Sequence, residues 1–385
     1  MDPIYLDHAA TTPMRDEVLE AMAPYHRAAF GNPSSSHRWG REAQAALERA
    51  RGRIADALGV RRREIVFVRG GTESDNLALF GRADAARASG TAPCVAVSAI
   101  EHKAVLDAAR AIAAAGGRAI VLPVDRTGKV ELDELDRALA SSPCVVSIMW
   151  VNNEVGVVQP MREIVERCAD RGVVSHSDSV QALGKIPVRL DEIGLDLLSL
   201  TGHKIYGPKS AGLLFVRAGT RLHARLHGGG QESGIRPGTQ DVAGAVGLAE
   251  AVCLAVEEQA EASARYAGLR DRLLGRLREK IPDLREHGEG GNVAGHILSV
   301  GVPEVDPETL MISLDMEGVA VSGGSACQTG SRSVSHVLDA MYGDGVLPAV
   351  VRYSFGRDTT PEQVDAAADA TMRVVRRLRG STVPA

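Results

Sequence analysis

The chain has 385 residues, of which 44% are hydrophobic and 24% are charged, a composition typical of folded globular proteins. Its 44 basic and 49 acidic residues leave a formal net charge of −5, and no basic patch predicts direct contact with nucleic acid. The five cysteines show neither close pairing nor metal-type spacing, which argues against a disulfide framework. Without a signal-peptide pattern or an apolar run long enough to span a membrane, we expect a cytoplasmic protein.

Residues 64–216 alternate short β-branched runs with Ala- and Leu-rich segments of helical period. This alternation predicts a mainly parallel sheet with helices on both faces. The predicted strands are 65–68, 94–98, 119–122, 145–150, 173–176, 196–200 and 212–216, and the predicted helices between them include 75–88, 103–115 and 161–171. In such sheets, ligands bind where the carboxyl ends of the strands meet the helix N-termini.

The second half of the chain has a different pattern of predicted helices and strands. A long Ala-rich helical pattern runs from residue 240 towards residue 280, and a Gly-rich turn follows at 288–291. Beyond it we predict strands at 297–301 and 350–355 and helices at 307–316, 334–341 and 361–378. These elements predict a large α/β domain over residues 15–256 and a small α+β domain formed by 1–14 and 257–385.

A lysine follows the predicted strand 196–200. Lys204 comes directly after Thr201, Gly202 and His203. A lysine at a strand end becomes a nucleophile when its surroundings lower its pKa, and its commonest use there is a Schiff base with a carbonyl compound or with pyridoxal phosphate. Taken alone, Lys204 is better explained as a surface lysine in a turn.

Four further strand ends carry residues that suit the same cofactor. Gly71 and Thr72 open a predicted helix and can cradle a phosphate, while Asp178 suits a protonated pyridine nitrogen. His102 can stack on the ring or relay protons, and an amide of Asn152 or Asn153 can donate to the phenolic oxygen. Each also has an ordinary explanation as a helix start, a cap or a turn residue. Their joint occurrence in one sheet predicts a pyridoxal phosphate site.

A second chemical centre is predicted at Cys327. Small residues surround it over 322–331, which predicts a flexible, exposed loop, whereas the other four cysteines lie in apolar strand or helix patterns. An exposed thiol in such a loop favours a nucleophile over packing. Arg352 interrupts a nearby apolar strand, where it can bind a substrate carboxylate or form a structural ion pair.

These motifs resemble the cysteine desulfurases, pyridoxal phosphate enzymes with the aminotransferase class V fold. The matching segments run nearly from end to end of the chain and comprise 5–13, 31–35, 71–76, 151–156, 202–204, 228–232 and 325–327. The cysteine segment is similar to that of the group with the longer, flexible loop. The resemblance implies the aspartate aminotransferase-like architecture, fold type I.

The resemblance also implies a role for each matching residue. Lys204 would form the Schiff base and act in catalysis with His102, which lies over the ring, and with Cys327, which takes the sulfur. The cofactor would further be held by Gly71, Thr72, Asn153, Asp178, Gln181, Thr201, His203 and, across a homodimer interface, Thr239. Arg352, with Asn153, would bind the substrate. Two residues depart from many relatives, which have Ser where this chain has Thr201 and Pro237.

The implied reaction converts L-cysteine to L-alanine and leaves a persulfide on Cys327, which passes to an acceptor protein. A selenocysteine lyase, an aminotransferase and a cofactor-binding scaffold remain alternatives, and Cys327 argues against the aminotransferase. A metal site built from His102, His176, Asp178 and His203 would leave Lys204 without a role. The acceptor stays open among iron–sulfur assembly, tRNA thiolation, DNA phosphorothioation and cofactor synthesis.

Overall fold

The computed structural model describes residues 3–323, 335–343 and 348–380. The described strands are β1 Ile4–Tyr5, β2 Ile65–Val68, β3 Cys94–Ser98, β4 Arg118–Leu122, β5 Val145–Ser147, β6 Ser175–Asp178, β7 Leu197–Thr201, β8 Gly212–Val216, β9 Arg285–Glu286, β10 Ile297–Val302, β11 Val319–Ala320 and β12 Ala349–Ser354. The described helices are α1 Asp16–Arg27, α2 Arg38–Leu58, α3 Gly71–Ala88, α4 Lys103–Ala114, α5 Leu132–Leu139, α6 Met161–Asp170, α7 Leu190–Ile193, α8 Val242–Glu257, α9 Gln259–Lys280, α10 Pro307–Met316, α11 His336–Tyr342 and α12 Pro361–Gly380.

The largest described sheet has the order β2-β8-β7-β6-β5-β3-β4. The pairs from β7 to β4 are parallel, which confirms the predicted mainly parallel sheet. Strand β8 runs antiparallel to both β7 and β2. The short stretch between β7 and β8 explains the reversal, because a parallel connection needs a crossover of about a dozen residues or more, usually a helix.

Several predicted boundaries differ from the structure: the predicted strand 173–176 is β6 Ser175–Asp178, the predicted helix 75–88 begins at Gly71, and two further differences have a physical reason. The predicted strand 145–150 is assigned as far as Ser147, but the amides of Ile148 and Trp150 still donate to carbonyls of β6, so pairing continues past the assigned end. The helical pattern 240–280 divides at Glu258 into α8 and α9. Helix α8 packs on α1 and α2, whereas α9 packs on α12. Packing against different partners therefore overrides one continuous helical pattern.

The N-terminal segment packs with the second half of the chain. Strand β1 pairs in parallel with β11, and β10 lies between β9 and β12. Leu6 shares a hydrophobic cluster with Leu298, Val351 and Phe355 and with residues of α9 and α12. This cluster supports a division into residues 15–256 and residues 1–14 with 257–385, which stays a prediction. Across the described ranges, no helix combines the length and apolar character that crossing a membrane requires.

A buried ion pair fastens the loop after β8 to the large sheet. The Arg51 guanidinium donates to both carboxylate oxygens of Glu232 at 2.8 and 2.9 Å and stacks 4.7 Å from the centre of the Phe67 ring. The backbone amide of Phe67 and the side chain of Gln240 donate to the same carboxylate. Because Glu232 adopts a left-handed φ of +48°, these contacts hold a strained backbone in place.

Replacing Glu232 by Gln removes the buried counter-charge of the Arg51 guanidinium and leaves the more exposed Glu48 as its charged partner. We expect the free energy of unfolding to fall by about 3 kcal/mol, because removing one charge of a buried ion pair is costly. The matched control, Glu42→Gln, breaks an exposed pair with Arg38 and is expected to cost under about 1 kcal/mol. Urea denaturation measures both values, and equal losses in the two variants would contradict the prediction.

Candidate active site

A cavity of about 330 Å³ lies at the carboxyl ends of the parallel strands. Its lining includes ten residues predicted as site residues, namely Gly71, Thr72, His102, Asn153, Asp178, Gln181, Thr201, His203, Lys204 and Arg352. Two other predicted residues are not part of this group. Thr239 is exposed on the surface and does not line the cavity. Cys327 lies outside the described residues.

One end of the cavity has the features of a phosphate site. Helix α3 begins at Gly71, and its first amides have no partner within the helix, so they attract an anion. Gly70 adopts a φ of +146°, a backbone conformation that residues other than glycine rarely adopt. A pocket of about 540 Å³ opens here and is also lined by Thr72, Thr201 and His203. The predicted phosphate residues therefore lie side by side.

His203 contributes to this end as a neutral ring. Burial, together with the positive charge of neighbouring Lys204, lowers the pKa of His203 to about 4. Its Nδ1 lies 3.2 Å from the hydroxyl of Thr11 in the N-terminal segment. The imidazole can therefore donate a hydrogen bond to an anion but adds no charge at neutral pH.

Lys204 ends a short 3₁₀ turn, Gly202–Lys204, that follows β7. Its Nζ donates to the carbonyls of Ala9 and Ala10, at 2.6 Å each. The carbonyl of Lys204 accepts from the Nζ of Lys185, and burial lowers the pKa of that buried lysine to about 8. The N-terminal segment thus forms one wall of the cavity and accepts hydrogen bonds from the amine of Lys204, the nucleophile predicted from the sequence.

Asp178 is buried at the end of β6, where its Oδ1 accepts from the amide of Val180 at 3.0 Å. Burial raises the pKa of Asp178, whereas the nearby groups of His102 and Lys204 act in the opposite direction. A buried carboxylate is stabilised by a positive charge that comes within hydrogen-bond reach. Asp178 therefore fits a protonated ring nitrogen bound in the cavity.

Two further carboxyl groups lie beside Asp178. Asp75 and Glu101 are buried, and burial together with the charge of Asp178 raises the pKa of both well above the ordinary values. Asp75 Oδ1 and Glu101 Oε2 have no hydrogen-bond partner among the described residues. Since three neighbouring carboxylates repel one another in a region of low dielectric, the two deeper groups retain their protons more readily than Asp178.

His102 caps a helix and also lines the cavity. Its Nδ1 accepts from the amide of Ala104 at 3.1 Å and caps α4. This hydrogen bond assigns the proton of the neutral ring to Nε2.

The side-chain atoms of His102, Asp75 and Asp178 that could bind a metal ion lie within 4.8 Å of one another. His176 is not part of that group, because both of its ring nitrogens contact serine hydroxyls and burial lowers its pKa to about 3.

The two consecutive asparagines after β5 have different roles. Asn152 is buried and builds the turn, since its Nδ2 donates to the carbonyl of Ile100 and its Oδ1 accepts from the amides of Glu154 and Val155. Asn153 instead lines the cavity. The structure therefore separates the structural asparagine from the one available to a ligand.

Gln181 lines the cavity and also contacts residues outside the large sheet. Its Nε2 donates to the carbonyl of Ala9 at 2.8 Å, and its Oε1 lies 3.2 Å from Nε2 of His296. One N–H of the amide remains for a ligand. These contacts fix the orientation of the amide before anything binds.

Arg352 forms the ion pair that the sequence left as an alternative. Its Nη2 lies 2.8 Å from Asp7 Oδ1, and its Nη1 donates to the carbonyl of Asn153 at 2.8 Å. The side chain is buried, yet it lines the cavity. An ion pair and a position at the ligand cavity thus occur together.

Comparisons with known proteins agree with this geometry. The family model of the aminotransferases of class V matches residues 4–367. A protein named cysteine desulfurase IscS, from Dictyoglomus turgidum, is 41% identical over 98% of this chain and 95% of its own length. The chain belongs to the cysteine desulfurase family. This result confirms the family that the motifs resemble.

Solved structures of other proteins agree with this membership. A NifS-like protein superposes with a TM-score of 0.91 at 35% identity and covers 98% of this chain and 100% of its own. SspA, solved in complex with cysteine, superposes with a TM-score of 0.78 at 33% identity and covers 91% of this chain and 98% of its own. The predicted α/β architecture of fold type I is thereby confirmed.

In the sequence analysis, no role was assigned to four residues that the structure places at or beside the cavity of this chain. They are Asp7, Asp75, Glu101 and Glu154. Asp7, Asp75 and Glu154 stand inside the motifs that carry the family resemblance, and this position was the only available signal. These residues matter because they are buried and contact distant parts of the chain, and a sequence motif shows neither property.

Glu154 joins the cavity to the start of α11. Its Oε2 accepts from the hydroxyl of Ser335, the N-cap residue of that helix. Burial raises the pKa of Glu154 from 4.5 to about 7, although Ser335, Arg352 and Lys103 act in the opposite direction. Glu154 can therefore gain or lose a proton close to neutral pH.

The raised pKa of Glu154 predicts that the free energy of unfolding of the protein falls as the pH rises. The folded protein holds the proton more tightly than the unfolded chain, so the stabilisation is complete below pH 4.5 and is lost as the pH rises through about 7. Relative to Glu154→Gln, the wild type should lose roughly 3 kcal/mol of unfolding free energy over that interval.

Urea denaturation at a series of pH values measures this difference. Glu163→Gln, which removes an exposed carboxylate of α6, is the matched control and should follow the wild type. Parallel stability curves for the wild type and Glu154→Gln would refute the prediction.

Proposed function

We propose that this chain is a pyridoxal phosphate-dependent cysteine desulfurase that converts L-cysteine to L-alanine and carries the sulfur as a persulfide on Cys327. The observation that carries the proposal is the position of Lys204, whose amine enters a cavity that also contains Asp178 and a phosphate-type helix N-terminus. Membership of the cysteine desulfurase family supports the same reaction.

The residues present fit pyridoxal phosphate. Asp178 offers a buried negative charge to the ring nitrogen, and the left-handed Gly70 lets the start of α3 approach a phosphate closely. In the proposed complex Lys204 holds the cofactor covalently, and the other contacts come from Gly71, Thr72, His102, Asn153, Asp178, Gln181, Thr201 and His203. When bound, the cofactor supplies an electron sink for the bond that is broken at the substrate α-carbon.

The protein's own side chains would do the rest. Arg352 would bind the substrate carboxylate, and the amine of Lys204, freed when the substrate amine replaces it, would take the α-proton. His102, with its proton on Nε2, relays a proton at the ring face. The thiolate of Cys327 attacks the substrate sulfur, so that a sulfur–sulfur bond forms while the carbon–sulfur bond breaks. The electron pair of that bond stays with the substrate carbon, which takes a proton and leaves as the methyl group of alanine.

We also propose a cytoplasmic homodimer that passes its sulfur to an acceptor protein. The exposed position of Thr239 supports this, because a second copy can use the residue only if its own chain leaves it uncovered. The acceptor stays open among the iron–sulfur, tRNA, DNA and cofactor pathways. Of these, transfer to a protein suits a chain with a net charge of −5 better than direct transfer to nucleic acid.

Cys327→Ser is expected to abolish sulfur release, because a hydroxyl cannot accept sulfur as a persulfide. We expect sulfide and alanine formation to fall at least a hundredfold, while the visible absorbance still changes when cysteine is added. Cys253→Ser is the matched control, since Cys253 lies half-buried in α8 away from the cavity. Full sulfide production by Cys327→Ser would refute the role.

The assignment of Lys204 is tested by reduction with borohydride. After incubation with pyridoxal phosphate, we expect mass spectrometry to find the pyridoxyl group on Lys204 and to find none in Lys204→Ala. Lys209→Ala removes an exposed lysine of the same β7–β8 connection and should be labelled like the wild type. Unchanged labelling of Lys204→Ala would exclude the proposed cofactor site.

A further inference from the structure

Arg352 is held on two sides before any substrate binds. Its Nη2 donates to Asp7 Oδ1 and its Nη1 donates to the carbonyl of Asn153, both at 2.8 Å. The Nε–H is buried and has no partner among the described residues. A guanidinium has five N–H donors, so these two contacts leave three of them. The contacts therefore fix the plane of the guanidinium and still leave donors for a carboxylate.

Asp7 is well placed to act as a fixed partner. Its backbone forms a bridge with Ser354 of β12, two residues beyond Arg352. The amide of Ser354 donates to the carbonyl of Leu6 at 2.7 Å, and the hydroxyl of Tyr5 donates to the carbonyl of Asp7 at 3.1 Å. Asp7 and Arg352 are thus anchored to the same strand, and their separation is set by sheet pairing.

A competing carboxyl group makes this anchoring necessary. Glu154 lines the same cavity and is close enough for the charge of Arg352 to act on its pKa. A buried guanidinium released from one partner moves to another, because leaving the charge uncompensated is costly. Without Asp7, we expect Arg352 to turn towards Glu154, and this movement would withdraw its donors from a substrate.

We propose that Asp7 is a positioning residue of the substrate-carboxylate site: it holds the Arg352 guanidinium in the plane that binds the carboxylate of an α-amino acid. The inference rests on the proposed function, which assigns the substrate carboxylate to Arg352. Asp7 itself acts through Arg352, so its loss affects substrate binding more than the chemical steps that follow.

Steady-state kinetics of the cofactor-loaded enzyme test this inference. Asp7→Ala is expected to raise KM for L-cysteine at least tenfold, with kcat within threefold of the wild type. Asp7→Asn keeps an oxygen that accepts from Nη2, and it should recover part of the loss. Asp358→Asn, which removes the partner of Arg357 in an exposed pair, is the matched control and should leave both constants unchanged.

A double-mutant cycle separates positioning from other effects. In an Arg352→Ala background, Asp7→Ala should raise KM no further. An equal rise in both backgrounds, a change of KM below twofold, or a fall in kcat alone would overturn the inference. If Asp7→Ala fails to fold, as thermal denaturation would reveal, Asp7→Asn in both backgrounds provides the same comparison.

Calorimetric titration with L-alanine distinguishes this inference from the proposed function. L-alanine carries the same α-carboxylate and cannot lose sulfur, so its binding depends on the carboxylate site and not on turnover. We expect Asp7→Ala to weaken L-alanine binding about as much as it raises KM, and unchanged binding would overturn the role of Asp7. A wild type that binds L-alanine but forms none from L-cysteine would instead refute the proposed function.

Discussion

The hydrogen bonds from the Lys204 amine to the carbonyls of Ala9 and Ala10 join the N-terminal segment to the end of the large sheet. The same segment begins in the hydrophobic cluster that contains Leu6 and Leu298, so it connects that cluster to the cavity. Gln181 donates to Ala9 as well, and the Thr12 hydroxyl donates to the carbonyl of His203 and accepts from the amide of Tyr206. The cavity thus depends on two parts of the fold remaining in contact, because neither encloses it alone.

Charge in the cavity is arranged so that few groups are ionised at once. Burial opposes the charged forms of Asp75, Glu101 and His203, and it also raises the pKa of Asp178, whose charged form the nearby groups of His102 and Lys204 favour. Such a site is selective by charge, since a positive ring nitrogen fits Asp178 while an anionic group fits the opposite side. The same low dielectric that suppresses ionisation strengthens the hydrogen bonds that remain.

Much of this site is predictable from the sequence because parallel strands place their carboxyl ends at one edge. That rule brought together His102, Asp178 and Lys204 from three separate strand ends, and the structure places all three at one cavity. The ion pair between Asp7 and Arg352 is different, since the two residues are 345 positions apart and no local pattern links them. Likewise, the break at Glu258 arises from packing partners that a helical period does not encode.

The buried polar atoms without partners give a final argument about the site. Among the described residues, eight side chains carry such atoms, and three of them, Asp75, Glu101 and Arg352, lie at or beside the cavity. An unmade hydrogen bond in a protein interior costs about 1–3 kcal/mol, so these three groups offer interactions that a ligand can complete. A ligand that supplies an acceptor to Arg352 and a counter-charge beside Asp178 removes part of that cost on binding. The unpartnered donor of Arg352 and the buried carboxylate of Asp178 therefore favour a ligand that has a carboxylate at one end and a protonated ring nitrogen at the other.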